Sequence, residues 1–170
     1  MPEPDEVDQI VAAWRRERPD LDVEPLQVLS RLSRLAAVLD ARRADAFVGH
    51  GLQAYEFDVL SVLRRSGEPF ERTAGELATL THVTSGTMTS RLDRLMARGF
   101  VTRGGDPADR RLVRVRLTDL GRERVDAAFV ALLQTEQQLL ATLDEGQGAG
   151  LAVALRSLLR AAATIDGMTP

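Results

Sequence analysis

The stretch "GDPADRRLVRVRLTDLG", residues 105–121, constrains the fold more than any other part of this chain. Val113, Val115 and Leu117 alternate with Arg114 and Arg116, the period-2 pattern of a strand with one face buried and one wet. Just before it lies a second β-prone run, "FVTR", and "GGDPAD" separates the two. Two such runs about a Gly/Pro/Asp turn read as a hairpin. Everywhere else apolar residues recur at intervals of three and four. The fold expected is therefore mainly α with one small β-hairpin.

The helical segments can be read in order. Val7, Ile10, Val11 and Trp14 sit at i, i+3, i+4 and i+7, which predicts a short amphipathic opening helix. "RPDLDVEP" breaks it. Leu26, Leu29, Leu32, Leu35 and Leu39 carry a stripe along a longer helix to about Phe47, and the glycines of "VGHG" end it in left-handed backbone. Residues 53–66 form a third helix closed by "GEP". Two shorter patterns follow, 73–81 and 84–99, with Thr84 as cap and Gly99 as terminator of the second. A supporting helix, a tight turn and a longer helix with a polar face make a helix-turn-helix layout. After the hairpin, Thr118 caps a long helix whose stripe includes Phe129, Leu132, Leu133, Leu139, Leu140 and Leu143. "DEGQGAG" is expected to be a flexible break before a last helix marked by Leu151, Leu155, Leu158, Leu159 and Ile165.

Composition removes several function classes. Cysteine is absent, so disulfides, thiolate nucleophiles, thiol-based sensing and cysteine-ligated zinc are excluded. His50 and His82 are isolated, without metal-ligand spacing, and there is no P-loop, dinucleotide fingerprint or GxSxG. No catalytic residue, metal or cofactor is expected. The acidic start "MPEPDEVDQI" is unlike a signal peptide, and no apolar run approaches the roughly 18–20 residues of a membrane span, which points to a cytoplasmic chain without a membrane partner.

Charge is unevenly distributed. All 22 basic residues are arginine, and the chain carries a net charge of −3. Residues 84–124 hold ten arginines against five acids, a local excess of +5 that leaves −8 for the rest. A basic segment in an acidic chain is placed for an anionic partner on one face, while the acidity elsewhere limits indiscriminate sticking.

That partner is read as double-stranded DNA. At about 100° per residue, turning Met88, Leu92, Leu95 and Met96 inward leaves Gly86, Thr87, Ser90, Arg94, Ala97 and Arg98 on the opposite arc. Glycine and short hydroxyl side chains near a helix N-terminus allow close approach to a groove, and Thr and Ser can bond base edges or phosphates. Ser85, Thr87, Thr89, Ser90, Arg94 and Arg98 are the candidate contacts of this helix. Arg110 and Arg111, at the crest of the hairpin, are candidates for the flanking minor groove. Asp109 would pair with a neighbouring arginine and fix the shape of the crest. Arg114 is placed for phosphate.

The run "SGTMTSRLDRLMARGFVTRGGDPADRRLVRVRLTDLGRE" resembles the recognition helix and wing of the MarR family of bacterial transcriptional regulators, with "DPADRR" before "VRLTDLGRE" its most specific part. The likeness extends over residues 25 to 165. It implies a winged helix-turn-helix protein that is a homodimer through its N- and C-terminal helices, each recognition helix in a major groove of a pseudo-palindromic site. Successive grooves on one face lie about 34–36 Å apart. In this scheme residues 1–170 are one MarR-type domain. Segments 1–50 and 119–168 form the helical dimerisation region with an extra N-terminal helix, and 53–118 form the DNA-binding lobe. A winged-helix module that binds protein, or a regulator without a small-molecule ligand, is the alternative.

A narrower likeness, carried by "AAWRRERPDLD", "EFDVLSVLRRSG", "TSRLDRL" and "VTR", is to the urate-responsive (UrtR-like) subgroup. It implies a small anionic or aromatic effector, urate-like or phenolic, that makes a repressor release its operator. The four signature positions of the subgroup fall on Trp14, Asp58, Arg91 and Arg103. Chemically, Trp14 can cover a planar ligand and Arg91 can pair with its charge. Asp58 is expected to pair with Arg103 when no ligand is bound.

Overall fold

A computed structural model describes residues 3–105 and 112–165. Its elements run α1 (Glu6–Glu17), α2 (Pro25–Val48), α3 (Ala54–Arg64), β1 (Glu71–Thr73), α4 (Ala74–Leu80), α5 (Ser85–Ala97), β2 (Val101–Gly105), β3 (Val113–Leu117), α6 (Asp119–Leu140) and α7 (Glu145–Ile165). Two compact units divide the chain, one through Ala128 and the other from Phe129.

In the first unit, α1 begins at a reciprocal cap. The Asp5 carboxylate accepts from the Val7 and Asp8 backbone N–H groups, and Asp8 accepts from the Asp5 N–H. Val7 and Val11 are buried and α1 packs on α2. Arg31 of α2 clamps the junction, with Nε 2.7 Å from Asp5 and Nη2 2.9 Å from Asp8. The Arg31 guanidinium and the backbone N–H of Asp8 hold the pKa of the Asp5 carboxyl down to about 2. Pro25 at the first turn of α2 supplies a pre-set φ and lacks an N–H that would go unbonded there. Of the two glycines expected to close α2, only Gly51 is left-handed (φ 72°); Gly49 keeps helical dihedrals (φ −58°).

The core of this unit is built from α3, α4, α5 and the inner face of the sheet. Leu52, Leu60, Leu63, Leu77, Leu92, Leu95 and Val115 are wholly buried, each worth about 1.5–3 kcal/mol relative to exposure. Phe47, at the end of α2, stacks on Phe57 of α3 with centroids 4.0 Å apart. Met88 is buried as expected, but Met96 is 40% exposed, so the inward face of α5 is Met88, Leu92 and Leu95 alone.

The hairpin is there, with β2 antiparallel to β3 from Val101↔Leu117 to Gly105↔Val113. It is not the whole sheet. A three-residue strand that no sequence pattern announces, β1, pairs with the other edge of β3 (Glu71↔Arg116, Thr73↔Arg114), giving the order β1-β3-β2. β3 is thereby hydrogen-bonded on both edges, and its alternating pattern follows from one face, with Val115 and Leu117, packing on the core while the other meets solvent. Thr118 then caps α6, accepting from the Gly121 N–H at 3.0 Å.

In the second unit, "DEGQGAG" is not a break. Asp144 and Gln147 cap each other reciprocally, at 2.8 and 3.0 Å, and α7 starts at Glu145 despite three glycines in its first two turns. No residue of α7 is buried. With 21 residues and a mean hydropathy reaching 1.3, the helix is long and apolar enough to cross a membrane, contrary to the expectation that no such run exists.

Candidate nucleic-acid interface

The α4–turn–α5 unit presents the candidate surface. Thr73 caps α4, its hydroxyl accepting from the Glu76 N–H while the Glu76 carboxylate takes the Thr73 N–H. The turn runs through His82, left-handed at φ 53°, and Thr84 then caps α5 through the Thr87 N–H at 3.2 Å. The tight turn and paired caps fix where α5 begins, and with it the aim of its N-terminal N–H groups.

Along α5, Ser85, Thr87, Thr89, Ser90 and Arg94 are exposed. Thr87, Ser90 and Arg94 share one face by their i, i+3, i+7 spacing; Ser85 and Thr89 share a second. The Thr89 and Ser90 hydroxyls donate to the carbonyls of Ser85 and Gly86, at 3.0 and 3.3 Å, and keep acceptor capacity toward solvent. Tyr55, at the start of α3, lies beneath two arginines of α5: its centroid is 5.4 Å from the Arg91 guanidinium and 6.0 Å from that of Arg94. A ring so placed holds both cations without neutralising either.

Arg98 has different work. Its Nη1 is 2.5 Å from Glu56, the one buried charged side chain among the described residues, and its Nη2 donates to the Gly51 carbonyl at 2.6 Å. The guanidinium also lies 4.6 Å over the Phe100 ring. Arg98, exposed like Thr87 and Arg94, ties the end of α5 to the start of α3 through these bonds.

On the wing, Arg114 and Arg116 both reach Glu71 of β1, at 3.2 and 2.9 Å. The unannounced strand is therefore what supports Arg114, and the pairing follows from the β1–β3 register. Arg110, Arg111 and Asp109 lie outside the described residues.

The four candidate effector residues are distributed over α1, α3, α5 and β2. Trp14 is about half exposed. Asp58 is exposed at the surface and feels the attraction of Arg43 and Arg91, yet partial desolvation by surrounding protein outweighs them and raises its pKa. The expected Asp58–Arg103 pair does not form. Arg103 Nη1 instead meets Asp93 of α5 at 3.3 Å, linking the base of the wing to the recognition helix. Strand β2 follows α5 after only three residues, which puts Arg103 within reach of that nearer carboxylate. Sequence reasoning missed Glu56, Glu71 and Tyr55. Glu56 carried one signal, a Gln-x-x-Glu capping pattern at the start of α3, but its burial is a tertiary property.

Two helices joined by a tight turn, the second flanked by a cation-lined antiparallel wing, define a winged helix-turn-helix DNA-binding protein. Comparison with known proteins gives the family. A MarR-family profile matches residues 50–112. The transcriptional regulator PecS of Dickeya dadantii (strain 3937) is 38% identical over 140 residues, which cover 82% of this chain and 84% of PecS. Among solved structures, a mutant of MarR from E. coli complexed with operator DNA superposes with a TM-score of 0.63 at 26% identity, covering 82% of this chain and 99% of that one. BpsR from Bordetella bronchiseptica, whose DNA binding is regulated by 6-hydroxynicotinic acid, does so with a TM-score of 0.59 at 26% identity, covering 75% and 98%. The chain belongs to the MarR family of DNA-binding transcriptional regulators and is not an enzyme.

Proposed function

We propose that this protein is a homodimeric repressor that releases a pseudo-palindromic operator when a small anionic aromatic molecule binds. The observation that carries the reading is the exposed Thr87–Ser90–Arg94 face of α5, held on a rigid two-cap frame beside a basic wing. Reading DNA in this way, Ser85, Thr87, Thr89 and Ser90 approach the major groove and Arg94 supplies charge. Arg110, Arg111 and Arg114 extend the contact, and Arg98 fixes the pose of the helix. The segments 1–50 and 119–168 form the dimerisation region and 53–118 the DNA-binding lobe. Support for the dimer is the large apolar surface left unpartnered: Val28, Leu29 and Leu35 on α2, and Val153, Leu158 and Leu159 on α7. A second copy would cover such surface.

For the effector, Arg91 is the ionic anchor, Trp14 the planar cover, and Asp58 the group that an arriving anion repels. Urate is one molecule of the right chemistry and a pyridine or phenolic acid another; the regulation of BpsR by 6-hydroxynicotinic acid supports the class. Because Arg103 is paired with Asp93 on α5, a shift of Arg103 toward a ligand would be felt by recognition helix and wing together. The ligand must bind the DNA-free conformation more tightly for this to happen.

The test is a titration of operator duplex at several salt concentrations, with and without urate. Steeply salt-dependent, saturable binding is expected, and Arg94→Ala should flatten the log–log salt slope by about 1 if its contact is to phosphate. Arg91→Ala and Trp14→Ala should leave a DNA-binding dimer deaf to the effector. A duplex indifferent to the protein at low salt ends the reading; a full effector response in both variants removes the pocket.

A further inference from the structure

We propose that Tyr55 is a positioning residue for DNA binding: its ring holds Arg91 and Arg94 of the recognition helix side by side, with their N–H donors left open to the duplex. Tyr55 is the second residue of α3. The backbone there is fixed, because Glu56 accepts the Gln53 N–H at the start of the helix and Phe57 stacks on Phe47. The Tyr55 side chain is half-buried, and the Arg91 and Arg94 guanidinium groups lie over its ring, 5.4 and 6.0 Å from the centroid. Arg94 is taken as a DNA contact, as proposed above, and the role of Tyr55 rests on that reading.

What sets these two arginines apart is how they are held. Arg98 pairs with Glu56, Arg103 with Asp93, and Arg114 and Arg116 with Glu71. Each such pair spends N–H donors and cancels charge. Arg91 and Arg94 make no ion pair among the described residues, and the Tyr55 ring is the contact they share. A ring face attracts a guanidinium through its quadrupole and takes no N–H donor, so the donors of Arg94 stay available for phosphate or guanine. Arg91 and Arg94 also stand three residues apart on one helix, where like charges repel. An electron-rich ring beside both offsets that repulsion and restrains two side chains with many rotamers. The contact is weak in water and stronger once a duplex excludes water from it, so it contributes more to the complex than to the free protein. A carboxylate in place of the ring would hold the arginines but repel the phosphates.

The test uses a duplex that the full-length parent protein selects from random-sequence DNA, with binding followed by fluorescence anisotropy at one salt concentration. Tyr55→Leu and Tyr55→Met, both checked for folding by circular dichroism, should weaken binding about 5-fold or more. Tyr55→Phe, which keeps the ring, should stay within about 2-fold of the parent. In an Arg91→Ala/Arg94→Ala background Tyr55→Leu should change affinity by less than about 2-fold, since the ring then has nothing to hold. A merely structural role would show the same loss in that background. Unchanged affinity in the Leu and Met variants, failure of Phe to restore binding, or an equal loss without the two arginines overturns the proposal. A parent protein that selects no duplex at all ends the DNA-contact reading of Arg94, and the role of Tyr55 with it.

Discussion

Arg98 and Glu56 form the one ion pair among the described residues in which a carboxylate is wholly buried, 1% exposed, while its partner reaches it from the surface. The same carboxylate accepts the Gln53 N–H that opens α3, at 2.8 Å, so one acid holds both a helix start and the end of the recognition helix. Removing one partner of a buried pair costs about 3–5 kcal/mol, and the 40% exposure of Arg98 admits water and lowers this to about 2–3 kcal/mol. Arg98→Ala should therefore lower the urea-unfolding free energy by that amount. In a Glu56→Gln background the same change should cost at least about 1 kcal/mol less. Identical costs in the two backgrounds would show that the packing of Arg98 on Phe100, not its charge, is what matters.

Gly121 makes a sharper prediction. A Cβ there would sit 2.2 Å from the Phe100 carbonyl oxygen and 2.9 Å from Leu117 Cδ1. That carbonyl cannot retreat easily, since it accepts from both the Thr118 N–H and the Thr118 hydroxyl at 3.0 Å. Gly121→Ala should cost about 2–4 kcal/mol, read as a fall of roughly 5–15 °C in Tm. Gly148→Ala, with open space around it in α7, should be stabilising by up to about 1 kcal/mol.

The contrast between those glycines also explains which parts of the molecule are legible in the sequence. Helices α1 to α6 and the hairpin are readable because their signals are local: a stripe at three- and four-residue spacing, a Thr cap, an alternation. α7 is readable too, but its start is obscured because glycine composition masks the Asp144–Gln147 cap. β1 is not readable, since "ERT" becomes a strand only through the register that β3, about forty residues later, offers it. The polar candidates of this segment are exposed as the helical projection implies, but the guanidinium of Arg98 is engaged by Glu56, 42 residues away, which no spacing announces. The choice of Asp93 over Asp58 by Arg103 escapes prediction for a related reason: spacing names the charges available, and only the packed backbone ranks them by distance.

Gly86 separates stability from function. It lies in the first turn of α5, and nothing stands within 4 Å of the point an alanine Cβ would occupy, so Gly86→Ala meets no steric penalty in the free protein. Alanine should leave unfolding free energy unchanged or raise it by a few tenths to about 1 kcal/mol. The methyl group would stand where the helix N-terminus meets the duplex. Operator affinity should then fall about 10-fold, or about 1.4 kcal/mol, with dimerisation untouched by sedimentation. Unchanged affinity would mean that the N-terminus of α5 does not approach the groove closely.

Asp58 offers a test by pH. Its pKa is raised above the ordinary 3.8 because desolvation by surrounding protein outweighs the attraction of Arg43 and Arg91. For an acid, a folded-state pKa above the unfolded value means that ionisation is harder in the native protein. Well below the unfolded value both states carry the proton and Asp58 costs nothing. As pH rises through the unfolded pKa the penalty grows, and it is complete once the folded-state carboxyl has also ionised. Asp58→Asn removes the charge and keeps the shape, so the variant should gain stability over the parent as pH rises from about 4 to about 7, and match it below. Chemical denaturation of both proteins at about pH 2.5, 5 and 7 checks the sign. A variant less stable at neutral pH would mean that the two arginines dominate. In that case the ionised carboxylate stabilises the fold, and an anion arriving beside it would disturb a favourable pair instead of adding to an existing strain.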